Sequence, residues 1–308
     1  MTGAAARAGS ALFSGVGVAL VTPFEEDGSV DVVALRAHVE FQIEHGVRML
    51  VPCGTTGESV TLSAEEQQTV IREVVGAARG RATVLAGAGG SDTSDVIRRA
   101  RSAHDAGADG ILSVSAAYNK PSQRGLIAHY RALADAVACP VVIYNVPGRT
   151  ASNVMPDTVL ALAEVENIAG VKEASGNVDQ VMTLLRQRPD GFSVLSGDDS
   201  LTLPLMAAGA DGVISVVANQ APGLMSSMVA ALLEGDLDRA RELHFRLLPL
   251  MLANFVETNP VPVKLALELM GRMQARYRLP LVAAQPESES VVRNALIEAG
   301  LLEEAARG

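Results

Sequence analysis

The chain has 308 residues, of which 48% are hydrophobic and 19% charged, and it carries a formal net charge of −10 at pH 7. That length fits one large domain or two small ones, with a substantial core in either case. The acidic balance and the lack of a basic run argue against a nucleic-acid or anionic-membrane partner, and no apolar stretch reaches the ~18 uninterrupted residues of a membrane span.

In chain order, residues 1–10 hold a single arginine with no long apolar run after it, so they read as a loose tail rather than a signal peptide. Cys53 and Cys139 both lie in apolar runs, which points to a reducing compartment and a cytoplasmic protein rather than a disulfide framework. Aromatic content is 3% with no tryptophan, so Leu, Val, Ile and Ala must do the packing.

Short apolar runs recur at 16–24, 49–54, 82–89, 110–115, 140–147, 168–175, 192–199 and 212–219. Their length and Val/Ile content fit parallel strands buried on both faces. Between them, 31–45, 64–78 and 93–106 show helical spacing, and helix starts are marked by Asp31, by Ser63 with Glu66, and by Ser122. Ala106-Gly107-Ala108-Asp109-Gly110-Ile111-Leu112-Ser113-Val114 is echoed by Ala208-Gly209-Ala210-Asp211-Gly212-Val213-Ile214-Ser215-Val216, each with a glycine suited to a left-handed helix stop before a strand. Eight strand–helix units in about 205 residues predict an α/β fold, a (β/α)8 TIM barrel over residues 11–220. An open doubly wound sheet is the alternative, but its dinucleotide fingerprint is approached only at Gly87-Ala88-Gly89-Gly90, which lacks the third glycine and the acidic residue. Beyond residue 219 the strands stop. Segments 221–233, 236–255, 260–270 and 288–299 read as helices of a C-terminal extension, 221–308, packed on the barrel.

Chemistry in such a barrel sits at the C-terminal ends of the strands. The second strand ends in Gly54-Thr55-Thr56-Gly57-Glu58-Ser59, whose hydroxyls and N–H groups suit a carboxylate, or which simply turns from strand to helix. The fourth leads to Tyr118-Asn119-Lys120. The fifth ends in Tyr144-Asn145-Val146-Pro147-Gly148-Arg149-Thr150, where a phenol can shuttle protons and a loop arginine can clamp a carboxylate. A packed core tyrosine and a surface arginine are the plainer alternatives. The five histidines stand in helical segments without ligand spacing, which argues against a metal site. Asp198-Asp199 reads as a capped helix start rather than a metal pair.

Lys172 lies in the apolar run Ile168-Ala169-Gly170-Val171-Lys172-Glu173-Ala174. Only Lys120, Lys172 and Lys264 are lysines among 25 basic residues. Unlike guanidinium, an ammonium can lose its proton, and burial in an apolar strand favours the nucleophilic neutral amine. Position alone leaves open a strand-end lysine that reaches solvent or pairs with Glu173.

Gly54-Thr55-Thr56-Gly57-Glu58-Ser59, Tyr144-Asn145-Val146-Pro147-Gly148-Arg149-Thr150, Val171-Lys172-Glu173-Ala174, Ser196-Gly197-Asp198-Asp199 and Asn259-Pro260-Val261-Pro262-Val263-Lys264 occur in order. Together, and over nearly the whole chain, they resemble the dihydrodipicolinate synthase family of pyruvate-dependent Schiff-base aldolases. The resemblance implies a barrel enzyme, a lyase, that condenses pyruvate with L-aspartate 4-semialdehyde to 4-hydroxy-tetrahydrodipicolinate in lysine and diaminopimelate biosynthesis. It implies no cofactor and no metal, because the covalent imine on Lys172 is the electron sink. By the same resemblance, Tyr144 shuttles protons, and Thr55 and Tyr118 complete its relay, with Tyr118 entering from a neighbouring subunit. Thr56 and the backbone at Ile214 hold pyruvate, Arg149 receives the semialdehyde carboxylate, and Gly197 and Asn259 contribute to the pocket. A homotetramer built as a dimer of dimers, or a homodimer, is implied as well.

N-acetylneuraminate lyase and the keto-deoxy sugar acid aldolases resemble the chain in barrel, lysine and tyrosine, but generally lack an arginine at the place of Arg149. A non-catalytic pyruvate-binding barrel is a further alternative. The chain departs from the family pattern at Ala116-Ala117, where Pro-Tyr is usual, and at Ala64, Gln67 and Ser91, where lysine-sensitive members often carry His, His and Asn. Weak or absent feedback by L-lysine and a looser dimer are therefore expected.

Overall fold

The computed structural model describes residues 13–303, so the tail read over 1–10 lies outside the described residues. The helix-start signals are used as read. Asp31 Oδ1 accepts from Ala34 N at 2.8 Å, Ser63 and Glu66 form a reciprocal capping box, and the Ser122 hydroxyl accepts from Gly125 N. Each cap satisfies amides that a first helical turn leaves without partners.

Eight strands follow in order: β1 (Gly15–Ala19), β2 (Met49–Val51), β3 (Thr83–Gly87), β4 (Gly110–Val114), β5 (Val141–Asn145), β6 (Ile168–Glu173), β7 (Ser193–Ser196) and β8 (Gly212–Ser215). Each pairs in parallel with the next and β8 pairs with β1, so the sheet closes on itself. Between the strands lie α1 (Val32–Glu44), α2 (Ala64–Ala78), α3 (Thr93–Asp105), α4 (Gln123–Ala136), α5 (Pro147–Thr150), α6 (Pro156–Ala163), α7 (Val178–Gln187) and α8 (Thr202–Ala207). The fold is therefore a (β/α)8 barrel, not the open sheet. Several strands stop before their apolar runs do; the run at 16–24, for example, leaves the ladder after Ala19. Its remaining apolar residues, such as Val21 and Phe24, stay buried while their backbone forms the loop. A further difference lies at 147–150, where Pro147 opens a single helical turn in place of a plain loop.

The internal echo has one geometry. Gly107 and Gly209 take φ of +100° and +110°, left-handed values that end each helix without a Cβ clash. Two residues on, Asp109 Oδ2 accepts from Val84 N and Asp211 Oδ2 from Val194 N, both at 2.8 Å. Each aspartate thus ties its incoming strand to the strand before it.

The barrel interior is packed with Phe13, Met49, Leu85, Leu112, Val142, Leu195 and Ile214, with Tyr144 in the same cluster. After β8 come α9 (Pro222–Glu234), α10 (Leu237–Ala253), α11 (Val261–Leu269) and α12 (Pro286–Glu298). The helix α9 packs on β1, and α10 packs on α9 and α12. Among the described residues no helix is long and apolar enough to cross a membrane, and Cys53 and Cys139 are buried free thiols.

Beyond the β1–β8 ladder, one buried amide joins the segments that leave the first and last strands. Asn219 Oδ1 accepts from Val21 N at 3.2 Å, and Nδ2 donates to Ala19 O at 2.8 Å and Val216 O at 2.9 Å. His38 Nε2 lies 3.0 Å from the same Oδ1, and burial pulls that imidazole down to about 4, so it donates as a neutral ring. Truncation would leave several buried polar groups unpaired, each worth about 1–3 kcal/mol. Asn219→Ala should lower the unfolding free energy by about 3 kcal/mol or more in urea denaturation followed by circular dichroism. A loss below about 1 kcal/mol would show that the amide does not hold those segments together.

Candidate active site

Lys172 and Tyr144 stand opposite each other in the β5–β6 ladder. Residues at matched register on neighbouring strands project to one face, and here that face is the barrel interior. The Lys172 Nζ lies 4.3 Å from the centroid of the Tyr144 ring, and the two residues are 4% and 8% exposed. Among the described residues the Lys172 amine has no hydrogen bond and no ion pair. The pairing with Glu173 left open by the sequence does not form, because adjacent strand residues face opposite sides of the sheet. Glu173 points outward into a buried network, accepting from Ser175 N at 2.7 Å, Asn145 Nδ2 at 3.0 Å and Gln180 Nε2 at 3.1 Å. Burial raises its carboxyl, and those donors oppose the shift.

A narrow cavity of about 60 Å³ opens above the pair, lined among others by Thr55, Thr56, Tyr144, Arg149, Lys172, Gly197, Asp198 and Asn259. A Cβ on Gly197 would stand 3.1 Å from Lys172 Cε and 2.6 Å from Ala174 Cβ, so glycine there leaves room for the lysine stem. Asn259 follows α10 and Arg149 sits on α5. Asn259 Nδ2 donates to Thr56 Oγ1 at 2.9 Å, and Arg149 Nη2 reaches Asn259 O at 3.4 Å. Seven of the nine residues singled out from the sequence thus share one cavity wall. Ile214 is fully buried in the barrel interior, packed in one cluster with Tyr144, and is not part of that wall. Tyr118 is 93% exposed, with φ of +68°, and stands outside the cavity.

The Thr55-Thr56 loop is held from behind by residues to which the sequence assigned no role. Glu58 adopts a left-handed φ of +53°, and its N–H donates to Thr55 O at 3.1 Å. Its carboxylate accepts from Lys264 Nζ at 2.7 Å, and neither side chain reaches solvent. Lys264, on α11, also donates to Thr22 O at 2.9 Å and to Arg276 O, and it faces the rings of Phe24 and Tyr277. Burial lowers the Lys264 ammonium, and the Glu58 carboxylate opposes that shift. The available signal was Lys264 itself, one of three lysines and placed in an apolar helix.

Asp198 and Asp199 correct an expectation. Neither side chain caps the short helical turn that begins at Asp199. Asp199 Oδ2 instead accepts from Val216 N at 3.0 Å and Val217 N at 2.8 Å, bracing the loop after β8. Asp198 lines the cavity. Burial raises both carboxyls, and Lys172 pulls both back. Among the described residues no cluster of three or more His, Cys, Asp or Glu side chains could hold a metal ion. A larger cleft of about 260 Å³, bordered by Gln67, Asp95, Arg98 and Ser102, lies between α2 and α3 and does not include Lys172.

Fold and cavity define a barrel protein that presents one uncommitted amine, a phenol and an arginine to a single narrow cavity. The chain belongs to the dihydrodipicolinate synthetase family, whose model matches residues 12–299. It is 53% identical over 290 residues to the 4-hydroxy-tetrahydrodipicolinate synthase of Chlorobium phaeobacteroides (strain BS1), covering 94% of this chain and 98% of that one. It is 50% identical over 292 residues to the enzyme of that name from Koribacter versatilis, covering 94% and 97%. The crystal structure of dihydrodipicolinate synthase from Aquifex aeolicus superposes with a TM-score of 0.92 at 46% identity, covering 95% of this chain and 100% of that one.

The Glu58–Lys264 clamp predicts an asymmetric mutational response. Lys264→Met leaves a buried carboxylate unpaired and should cost about 3–5 kcal/mol, whereas Glu58→Gln combined with Lys264→Met should recover part of that loss. Guanidinium denaturation of Lys264→Met, Glu58→Gln and the double variant checks this. A double variant as unstable as the two single losses added would refute the pairing.

Proposed function

We propose that this protein is a 4-hydroxy-tetrahydrodipicolinate synthase, a lyase that condenses pyruvate with L-aspartate 4-semialdehyde in lysine and diaminopimelate biosynthesis. The relatives of that name support the activity. The observation that carries the chemistry is the free Lys172 amine beside the Tyr144 ring, under the same cavity roof as Arg149.

The amine of Lys172 attacks the ketone carbon of pyruvate, and loss of water gives the imine. Thr56, with the backbone at Ile214, holds the pyruvate carboxylate. The iminium withdraws electrons, so the methyl group gives up a proton and becomes a nucleophilic enamine without a cofactor or metal. The enamine attacks the aldehyde carbon of the second substrate, and the alkoxide formed takes a proton. The amino group of that substrate then closes on the imine carbon and displaces the Lys172 amine. Tyr144 carries protons in these steps, with Thr55 and Tyr118 as relay partners. Arg149 binds the semialdehyde carboxylate, while Gly197 and Asn259 shape the pocket around it.

Because Tyr118 stands exposed here, its relay role requires a second copy of the chain to deliver it. We read the assembly as a homotetramer or a homodimer of a cytoplasmic protein. Each subunit carries a barrel up to residue 220 and, from 221, an extension that supplies Asn259 to the cavity and Lys264 to the loop behind it. Loss of bulk at Ala116-Ala117 loosens the interface, and the Gln67 amide is already committed to Ser59 O and Leu62 O. Sedimentation velocity should therefore show an assembly that dissociates on dilution, and millimolar L-lysine should leave turnover unchanged. A strict monomer with full activity would remove Tyr118 from the relay.

Borohydride reduction with pyruvate should add the mass of reduced pyruvate to the Lys172 peptide and nothing to Lys172→Ala. The protein should turn over aspartate semialdehyde with pyruvate, but not pyruvate with N-acetylmannosamine. Arg149→Ala should lower kcat/KM for the semialdehyde by about a hundredfold or more. The opposite substrate preference would assign the protein to the sugar-acid aldolases, and no adduct would make it a binding protein.

A further inference from the structure

We propose that the Asp198 carboxylate binds the ammonium group of the amino-aldehyde acceptor and so selects it over aldehydes that lack an amine. The assignment rests on the synthase reading above and concerns the part of the acceptor that Arg149 does not recognise.

The charges of the cavity lead to it. Its wall carries two basic side chains, Lys172 and Arg149, and one carboxylate, Asp198. Pyruvate brings one negative charge, whereas L-aspartate 4-semialdehyde brings a carboxylate and an ammonium on the same carbon. Arg149 matches the first of those groups. Asp198 is the complementary group for the second, and Arg149 and Asp198 border the same narrow space.

The backbone of Asp198 is fixed while its side chain is uncommitted. The Ser196 hydroxyl donates to Asp198 O at 2.8 Å and accepts from Asp198 N at 3.3 Å, and Thr202 Oγ1 donates to the same carbonyl at 3.2 Å. Asp198 occupies the position before a helical turn with extended φ and ψ of −116° and 120°, where an aspartate commonly caps the amides ahead of it. It makes no such cap, and among the described residues its carboxylate has no hydrogen bond and no ion pair. Burial raises this carboxyl, so a neighbouring cation is what would keep it ionised.

The lysine nitrogen supplies that cation as an iminium. Once the enamine forms, the lysine nitrogen is neutral, at the stage when the acceptor must be seated. An incoming ammonium restores the balance that the enamine has removed. A second acceptor stands in the same wall: Asn259 Oδ1 is buried and has no donor among the described residues. An ammonium has three N–H donors, enough for both.

Succinic semialdehyde, which has the same chain and carboxylate but no amine, isolates the contact when used as a competitive inhibitor against aspartate semialdehyde. In Asp198→Asn the KM for aspartate semialdehyde should rise at least about tenfold, the scale of a lost charge-assisted hydrogen bond. The KM for pyruvate, the rate of borohydride trapping and the inhibition constant for succinic semialdehyde should each change by no more than about twofold. Asp198→Glu should recover part of the loss. A parallel rise in the succinic semialdehyde constant would overturn the proposal, because the pocket as a whole would then be damaged. A fall in pyruvate trapping would also overturn it, by making Asp198 a partner of Lys172 instead. Absence of trapping in the unsubstituted protein would defeat the synthase reading itself, a result distinct from any effect of Asp198.

Discussion

The site depends on an ion pair that water does not reach. Glu58 and Lys264 are separated by 206 positions in the chain and are 1% and 0% exposed at the side chain. Removing two charges from water costs several kcal/mol each, and only close contact with further hydrogen bonds offsets that cost. Both are present: Lys264 also donates to Thr22 O and Arg276 O, and the second Glu58 oxygen accepts from Arg278 N. Because Glu58 belongs to the loop that carries Thr55 and Thr56, the C-terminal extension helps to fix that segment of the cavity, together with Thr22 of the barrel, whose hydroxyl donates to Gly57 O. Asn259 does the same more directly through Thr56. The extension is thus part of the site rather than an appendage to the barrel.

The second constraint is the two-residue period of a strand. It sends Lys172 inward to Tyr144 and Glu173 outward to Asn145 and Gln180. One strand end therefore supplies a bare amine to the cavity and an anchored carboxylate behind it. A one-residue slip of β6 would exchange them. The outward network ties β5 to β6 at the level where Tyr144 and Lys172 face each other. On the other side of Lys172, Gly197 clears the path of the lysine stem, and Asp199 braces the loop after β8.

Much of this was legible in the chain. The apolar runs gave the strand count because buried parallel strands leave no polar alternation, and the caps at Asp31, Ser63 and Ser122 marked helix starts to the residue. The strand ends were less legible, since residues such as Val21 are apolar and buried whether or not they join a ladder. Asp198-Asp199 reads as a cap and is none, because an aspartate before a helical turn looks the same in sequence whether it bonds forward amides or turns into a cavity. Glu58 passed as a motif letter, since a buried pair spanning the chain has no local signature. Tyr118 is the converse: it follows the fourth strand in sequence as a site residue would, but within one chain it stands in solvent.

The sequence by itself determined the repeating unit, the number of strands and which side chains could act as an amine or meet a carboxylate, because these follow from periodicity and from what each side chain can do chemically. Only the tertiary structure decided which of those residues share a cavity and which stand apart. It also decided that Lys172 faces Tyr144 instead of Glu173, that Asp198 is uncommitted, and that a lysine more than two hundred positions away holds the threonine loop. The reason is physical. Side-chain chemistry and strand period are local properties, whereas burial, pairing and the charge balance of a cavity exist only once distant segments have closed around it.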